Sequence, residues 1–242
     1  MLCCIEVALF VMSRCPDAVH CEGVFSQVFQ TKDLPPVNPS LSYIGTIERT
    51  TTTGSTSVIS SSIGAVSFTK TTTTKTTVTC KHGPMECAGN TQQLCFKKYF
   101  PDHTIWVPFV VTMNTQNFQR IGEPQYAREI GEKVVKSHYS SSNTYDNEGK
   151  KDLLDKVDQC SSGQEGFDLL VESVEHTNHH GVSTSCTVFI DDRKRCVRDG
   201  GVWRECPEGS SVADFVRSIR EAASHLRLSL TSSRLFRWRV IA

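Results

Sequence analysis

Apolar and polar positions divide the chain into segments of different period. Ile5 to Met12 (IEVALFVM) is β-rich and almost continuously apolar, which predicts a strand buried on both faces. Ser13-Arg14-Cys15-Pro16-Asp17 comes next, and Ala18, Cys21, Val24, Phe25, Val28 and Phe29 then recur at helical spacing. Pro16 suits the first helical position, which puts Cys15 at the N-cap. Leu41 to Ile44 reads as a second strand. Phe96 to Gln159 carries scattered helical periodicity, clearest at Ala127, Ile130, Val134 and Val135, with a polar interruption at Ser140 to Lys151. Phe167, Leu169, Leu170, Val174 and His176 mark another helix between Gly166 and Gly181. Cys186 to Ile190 predicts a strand, Asp191-Asp192 a turn, and Arg195 to Arg198 its hairpin partner. Gly200-Gly201 breaks the chain. Ser211-x-x-Asp214 then has the form of a capping box ahead of Phe215, Ile219 and Ala222.

Two stretches fall outside this pattern. Thr46 to Thr79 holds fourteen threonines and six serines with few large apolar groups. Such a composition buries too little surface to offset its ordering entropy, so a disordered insert is expected, open to O-glycosylation if secreted. A mis-spliced gene model would produce the same stretch. The basic-apolar tail from Leu226 to Ala242 matches no recognisable pattern.

The 242 residues suffice for one large domain or two small ones, and 26 basic residues balance 26 acidic ones. Nothing in that balance points to nucleic acid or an anionic membrane as a partner. No apolar run is long enough to span a bilayer. Met1 to Met12 lacks a basic n-region and a cleavage site, and it reads as a strand rather than a signal peptide. Eleven cysteines change the picture. That number suits an oxidising compartment, and an odd count leaves at least one thiol unpaired.

Cysteine is densest in Cys80-Lys81-His82-Gly83-Pro84-Met85-Glu86-Cys87-Ala88-Gly89-Asn90-Thr91-Gln92-Gln93-Leu94-Cys95. This stretch resembles the signature of the gamma-interferon-inducible lysosomal thiol reductase family, C-Q-H-G-x2-E-C-x2-N-x4-C, with Lys81 in place of glutamine. The resemblance covers roughly Ile5 to Ala223, interrupted at 46–79, and implies a thioredoxin-like α/β fold with a helical, disulfide-bearing insertion. It also implies thiol:disulfide exchange on protein disulfides, a reducing thiol donor, no further cofactor, and a lysosomal, vacuolar or extracellular setting. The C-P-D-A-x-x-C arrangement from Cys15 to Cys21 looks like a fungal branch of the family.

Cys15 is the candidate nucleophile. A thiol at a helix N-terminus faces unpaired N–H groups and the positive end of the dipole, and both favour thiolate. Arg14 adds charge of the helpful sign and Asp17 opposes it. The family's usual C-x-x-C is absent, because Ala18 stands three after Cys15. Cys21 is six residues on, about 9 Å along a continuous helix, beyond the Cα separation of about 7 Å that a disulfide tolerates. Cys186 stands where thioredoxin-like folds usually place a cis-proline, so it is the expected resolving thiol for Cys15, with Cys21 second. Cys186 bonded to Cys196 or Cys160 is the structural alternative. Val107-Pro108-Phe109 is a second candidate for the cis-proline loop.

Cys80, Cys87 and Cys95 are expected to form structural bridges. A zinc site of Cys80, His82, Cys87 and Cys95 is the alternative. His82 is expected to hydrogen-bond or to assist proton transfer, and Glu86 and Asn90 to cap locally. Cys196 and Cys206 are expected to pair, and Cys3 and Cys4 to be unpaired or buried. His179-His180 suggests a metal less than it suggests a polar helix end. The rival to an enzyme is a catalytically silent, disulfide-stabilised binding or structural module.

Overall fold

The computed structural model describes residues 4–59, 66–140 and 147–237. Strand β1 (Ile5–Val11) leads into helix α1 (Pro16–Phe29) and strand β2 (Val37–Tyr43). A ribbon follows, β3 (Thr46–Ile59) with β4 (Val66–Thr79). Helices α2 (Pro84–Tyr99), α3 (His103–Gln116), α4 (Pro124–Tyr139) and α5 (Asn147–Ser162) form the insertion, and α6 (Gln164–His179) returns to the sheet. Strands β5 (Thr187–Ile190), β6 (Arg193–Asp199) and β7 (Val202–Arg204) complete the sheet, and α7 (Val212–Arg237) closes the chain.

The five-stranded sheet has the order β2-β1-β5-β6-β7. β1 pairs in parallel with β2 and antiparallel with β5, which makes it a central strand and explains its near-continuous burial. A parallel βαβ unit, a returning helix, an antiparallel hairpin and a final helix are the parts of a thioredoxin-like fold, and the insertion sits between the two halves. On one face Phe25 of α1 meets Phe215 of α7, their rings 4.7 Å apart. On the other, Phe10 of β1 stacks on His176 of α6 at 5.7 Å. Within the insertion Phe96 of α2 and Phe109 of α3 stack at 3.8 Å. The capping box is present, with Ser211 Oγ accepting from the Asp214 amide at 3.2 Å and the Asp214 carboxylate accepting from the Ser211 amide at 3.0 Å.

Two expectations require correction. The Thr-rich stretch is not a structureless insert: Thr46 pairs with Thr79 and the ladder runs to Ile59 opposite Val66, with 60–65 outside the described residues. Composition argued only against a core. β-branched threonines favour extended backbone, and each rung adds hydrogen bonds at little loop-closure cost. Val107-Pro108-Phe109 is no loop, since Pro108 lies inside α3. The unassigned tail continues α7 as far as Arg237, and 238–242 lie outside the described residues.

Candidate functional site

Cys15 sits where β1 ends and α1 begins. Its amide donates to the Met12 carbonyl at 3.0 Å, closing a turn, and its own carbonyl accepts from Val19 at 3.1 Å as the first helical bond. Its backbone is extended, Pro16 follows at the first helical turn, and its side chain caps nothing. The thiol is free and the residue is buried, with 8% of its surface exposed. The charges on either side are engaged elsewhere. Arg14 donates to the Gln119 and Ile121 carbonyls at 3.5 Å each. Asp17 accepts from the Gly201 amide at 3.0 Å and pairs with Arg198 at 3.3 Å, so its charge is drawn toward the β6–β7 turn.

Cys186 has a different partner from the one expected. It is bonded to Cys21, with Cα atoms 6.4 Å apart, and not to Cys15, Cys196 or Cys160. The topology explains the choice. Thr187 is opposite Phe10, so Cys186 lies at the end of β1, beneath the α1 face that presents the fully buried Cys21. The same residue is tied to the Cys15 segment through Arg198, whose amide donates to the Cys186 carbonyl at 2.8 Å while its side chain holds Asp17. The Ser185–Cys186 peptide is cis, at the position where the fold usually carries a cis-proline. Cys15 and Cys21 are not bonded to each other, as the helical rise requires.

The signature folds into a brace beneath this site. Cys80 is bonded to Cys87, but Cys95 reaches out of the signature to Cys160 on α5. With those sulfurs bonded to one another, the zinc alternative has no thiolates left to ligate. His82 stays inside the Cys80–Cys87 loop, where its amide donates to Glu86 Oε1 at 3.2 Å and its ring contacts Oε2. Asn90 does more than cap locally. Its Oδ1 accepts from the Ser13 amide at 3.0 Å, across 77 residues of sequence. Ser13 Oγ in turn donates to the Glu86 carbonyl at 3.2 Å. Gly89 permits this approach, because a Cβ there would lie 2.5 Å from Ile121 Cγ2 and 2.7 Å from Ser13 Oγ.

The remaining candidates resolve simply. Cys196 and Cys206 are bonded, Cys4 is free and exposed, and Cys3 lies outside the described residues. His180 contacts the His176 carbonyl at 2.9 Å and packs on Phe10 and Phe189, an aromatic cluster at a helix end.

Glu22 was not foreseen. It is buried on the face of α1 that carries Ala18, Cys21 and Phe25. Asn114 donates to its Oε2, Gln93 donates to Asn114 at 2.8 Å, and Tyr43 donates to Gln93, a polar chain joining α1, α3, α2 and β2. Desolvation pushes the Glu22 carboxyl up to about 8, and the Asn114 hydrogen bond only partly opposes it. An acidic residue among apolar ones at the helical period was the available signal.

The family model for gamma interferon inducible lysosomal thiol reductase (GILT) matches residues 6–129, just over half of the chain, and the chain belongs to that family. No curated protein matches it. Similar solved structures include the oxidoreductase NmDsbA1 from Neisseria meningitidis, at 11% identity over 94% of this chain and 86% of that one, with a TM-score of 0.48. The oxidoreductase DsbA from Xylella fastidiosa is also similar, at 11% identity over 93% and 87%, with a TM-score of 0.47.

Proposed function

We propose that this member of the GILT family is a thiol:disulfide oxidoreductase that reduces protein disulfides through the Cys15 thiolate. The observation that carries the reading is a free cysteine at a helix N-cap, with a disulfide anchored on the same helix and at the neighbouring strand end. In the cycle, an external dithiol first reduces Cys21–Cys186 and is itself oxidised. Cys15 thiolate then attacks a substrate disulfide, forming a mixed disulfide and releasing one substrate thiolate. Cys186 thiolate attacks the Cys15 sulfur, releasing the second substrate thiolate and leaving Cys15–S–S–Cys186. Cys21 thiolate attacks Cys186 and frees Cys15. The two electrons passed to substrate come from Cys21 and Cys186, and the bond found between them is the oxidised end of the cycle. The disulfides suit an oxidising compartment. We place the protein in the acidic endocytic or secreted setting of its family, and in the fungal-type branch by C-P-D-A-x-x-C.

Insulin turnover with single Cys→Ser variants tests this reading. Cys15→Ser should fall to background. Cys186→Ser should accumulate a mixed disulfide on Cys15 and turn over only as fast as external thiol releases it. Iodoacetamide alkylation should lose its fastest phase in Cys15→Ser. Equal turnover and equal alkylation in wild type and Cys15→Ser would leave the silent binding module as the better description.

A further inference from the structure

We infer that Asn90 is a positioning residue for the Cys15 thiol, acting through the backbone of Ser13. The inference rests on the catalytic role proposed for Cys15. The segment from Met12 to Cys15 closes one turn, so the amide of Ser13 helps fix where the α1 N-cap points. That amide lies beyond the end of β1 and finds its acceptor in Asn90 Oδ1. Both residues are fully buried, so no water replaces a lost partner.

The amide of Asn90 is held from its other end. Nδ2 lies 3.7 Å from Cys80 Sγ, a weak contact to a sulfur fixed by the Cys80–Cys87 bond. Oxygen toward Ser13 and nitrogen toward sulfur uses both ends of the side chain. An aspartate would bring a buried charge, and a leucine would leave the Ser13 N–H without an acceptor. Glu86 and Gly89 reinforce the same contact, Glu86 through its backbone carbonyl, which accepts from Ser13 Oγ, and Gly89 by leaving room for it. Of the fixed signature residues, Asn90 reaches the residue two before the nucleophile with its side chain, Cys80 touches Asn90 and is held by Cys87, and the Glu86 carboxylate turns to His82 instead. Thiolate stabilisation at a helix N-terminus falls off within the first turn, so a small displacement of the cap weakens it.

The test compares Asn90→Leu and Asn90→Ser with wild type and Cys15→Ser in the full chain, with folding checked by near-ultraviolet circular dichroism. Leucine fills the space without an acceptor, and serine is too short to span the gap. In both, alkylation of Cys15 should slow roughly fivefold at fixed pH. Insulin turnover should lose kcat with little change in KM. A folded variant that keeps the wild-type alkylation rate and kcat overturns the positioning role. Where neither variant folds, hydrogen exchange in wild-type protein decides. A Ser13 amide as protected as the β1 amides supports the role, and one exchanging freely in the folded state overturns it. If Cys15→Ser itself removes no fast-reacting thiol, the failure lies with the catalytic reading and not with Asn90.

Discussion

The Thr-rich ribbon from Thr46 to Thr79 and the signature from Cys80 to Cys95 are neighbours in sequence with opposite physics. The ribbon holds itself by contacts between residues close in the ladder: Thr51 Oγ1 meets Thr74 Oγ1 at 3.4 Å, and the hydroxyls of Thr50 to Thr53 and Thr71 to Thr74 face solvent. The signature holds other parts of the molecule. Cys95 bridges to α5, Asn90 to the Cys15 segment, and Gln93 to both Tyr43 and Asn114. Similar polarity therefore has different consequences. Exposed hydroxyls exchange water for little, whereas the buried amides of Asn90 and Gln93 have designated partners whose loss leaves an unsatisfied group. The brace should be sensitive to single changes and the ribbon tolerant of large ones.

The largest effect is expected at the longer of the brace's two disulfides. Cys95–Cys160 closes a separation of 65 residues, against 7 for Cys80–Cys87. Loop-closure entropy assigns about 4 kcal/mol to the first and about 2.5 kcal/mol to the second. Denaturant unfolding of Cys95→Ala/Cys160→Ala and of Cys80→Ala/Cys87→Ala should rank in that order. The reverse order would mean that the smaller loop carries stability through the Ser13 contact rather than through chain entropy.

The next effect comes from the polar chain that Gln93 shares with Glu22. The Glu22 carboxyl is raised from 4.5 to about 8, so the folded state holds a proton that the unfolded state releases. Its contribution is complete below about pH 4.5 and is lost as pH rises to about 8, giving a stability that declines with pH through this window. Glu22→Gln keeps an oxygen for the Asn114 amide and removes the titration. Thermal unfolding between pH 5 and pH 8 should fall for wild type and flatten for the variant. A wild-type curve already flat would show that Glu22 does not hold its proton. Greater stability in acid also fits the compartment proposed for this protein.

Much of this arrangement was legible in the sequence. The order of strand, helix and hairpin followed from periodicity, because β1 and α1 have burial patterns set by their own neighbours. The N-cap position of Cys15 followed from Pro16. What stayed hidden depended on pairs distant in sequence. The Cys21–Cys186 bond required knowing that β5 lies antiparallel against β1, and that pairing leaves no local trace in either segment. Asn90 read as a local cap because its spacing from Glu86 suits one helical face, while its real partner is 77 residues away. The ribbon was misjudged for the converse reason. Its order is local, and a criterion built on burial does not detect it.

The smallest effect should follow the largest deletion. Ile47 is opposite Val78, and both pack partly against the core, whereas Arg49 reaches Glu175 across an exposed ion pair. Replacing residues 48–77 with Asn-Gly would join Ile47 to Val78 by a two-residue turn of the kind that closes hairpins. The change removes thirty residues and, among the described residues, one exposed ion pair to the rest of the molecule, worth about 0–1 kcal/mol. The midpoint of thermal unfolding should therefore move by no more than about 2–4 °C. The Cys15 alkylation rate should stay within roughly twofold, a margin well inside the fivefold loss expected of the Asn90 variants. A larger loss of stability would mean that the ribbon anchors α6 through Glu175. Slower Cys15 chemistry at unchanged stability would mean that the ribbon sets the position of Cys80, and through it the brace.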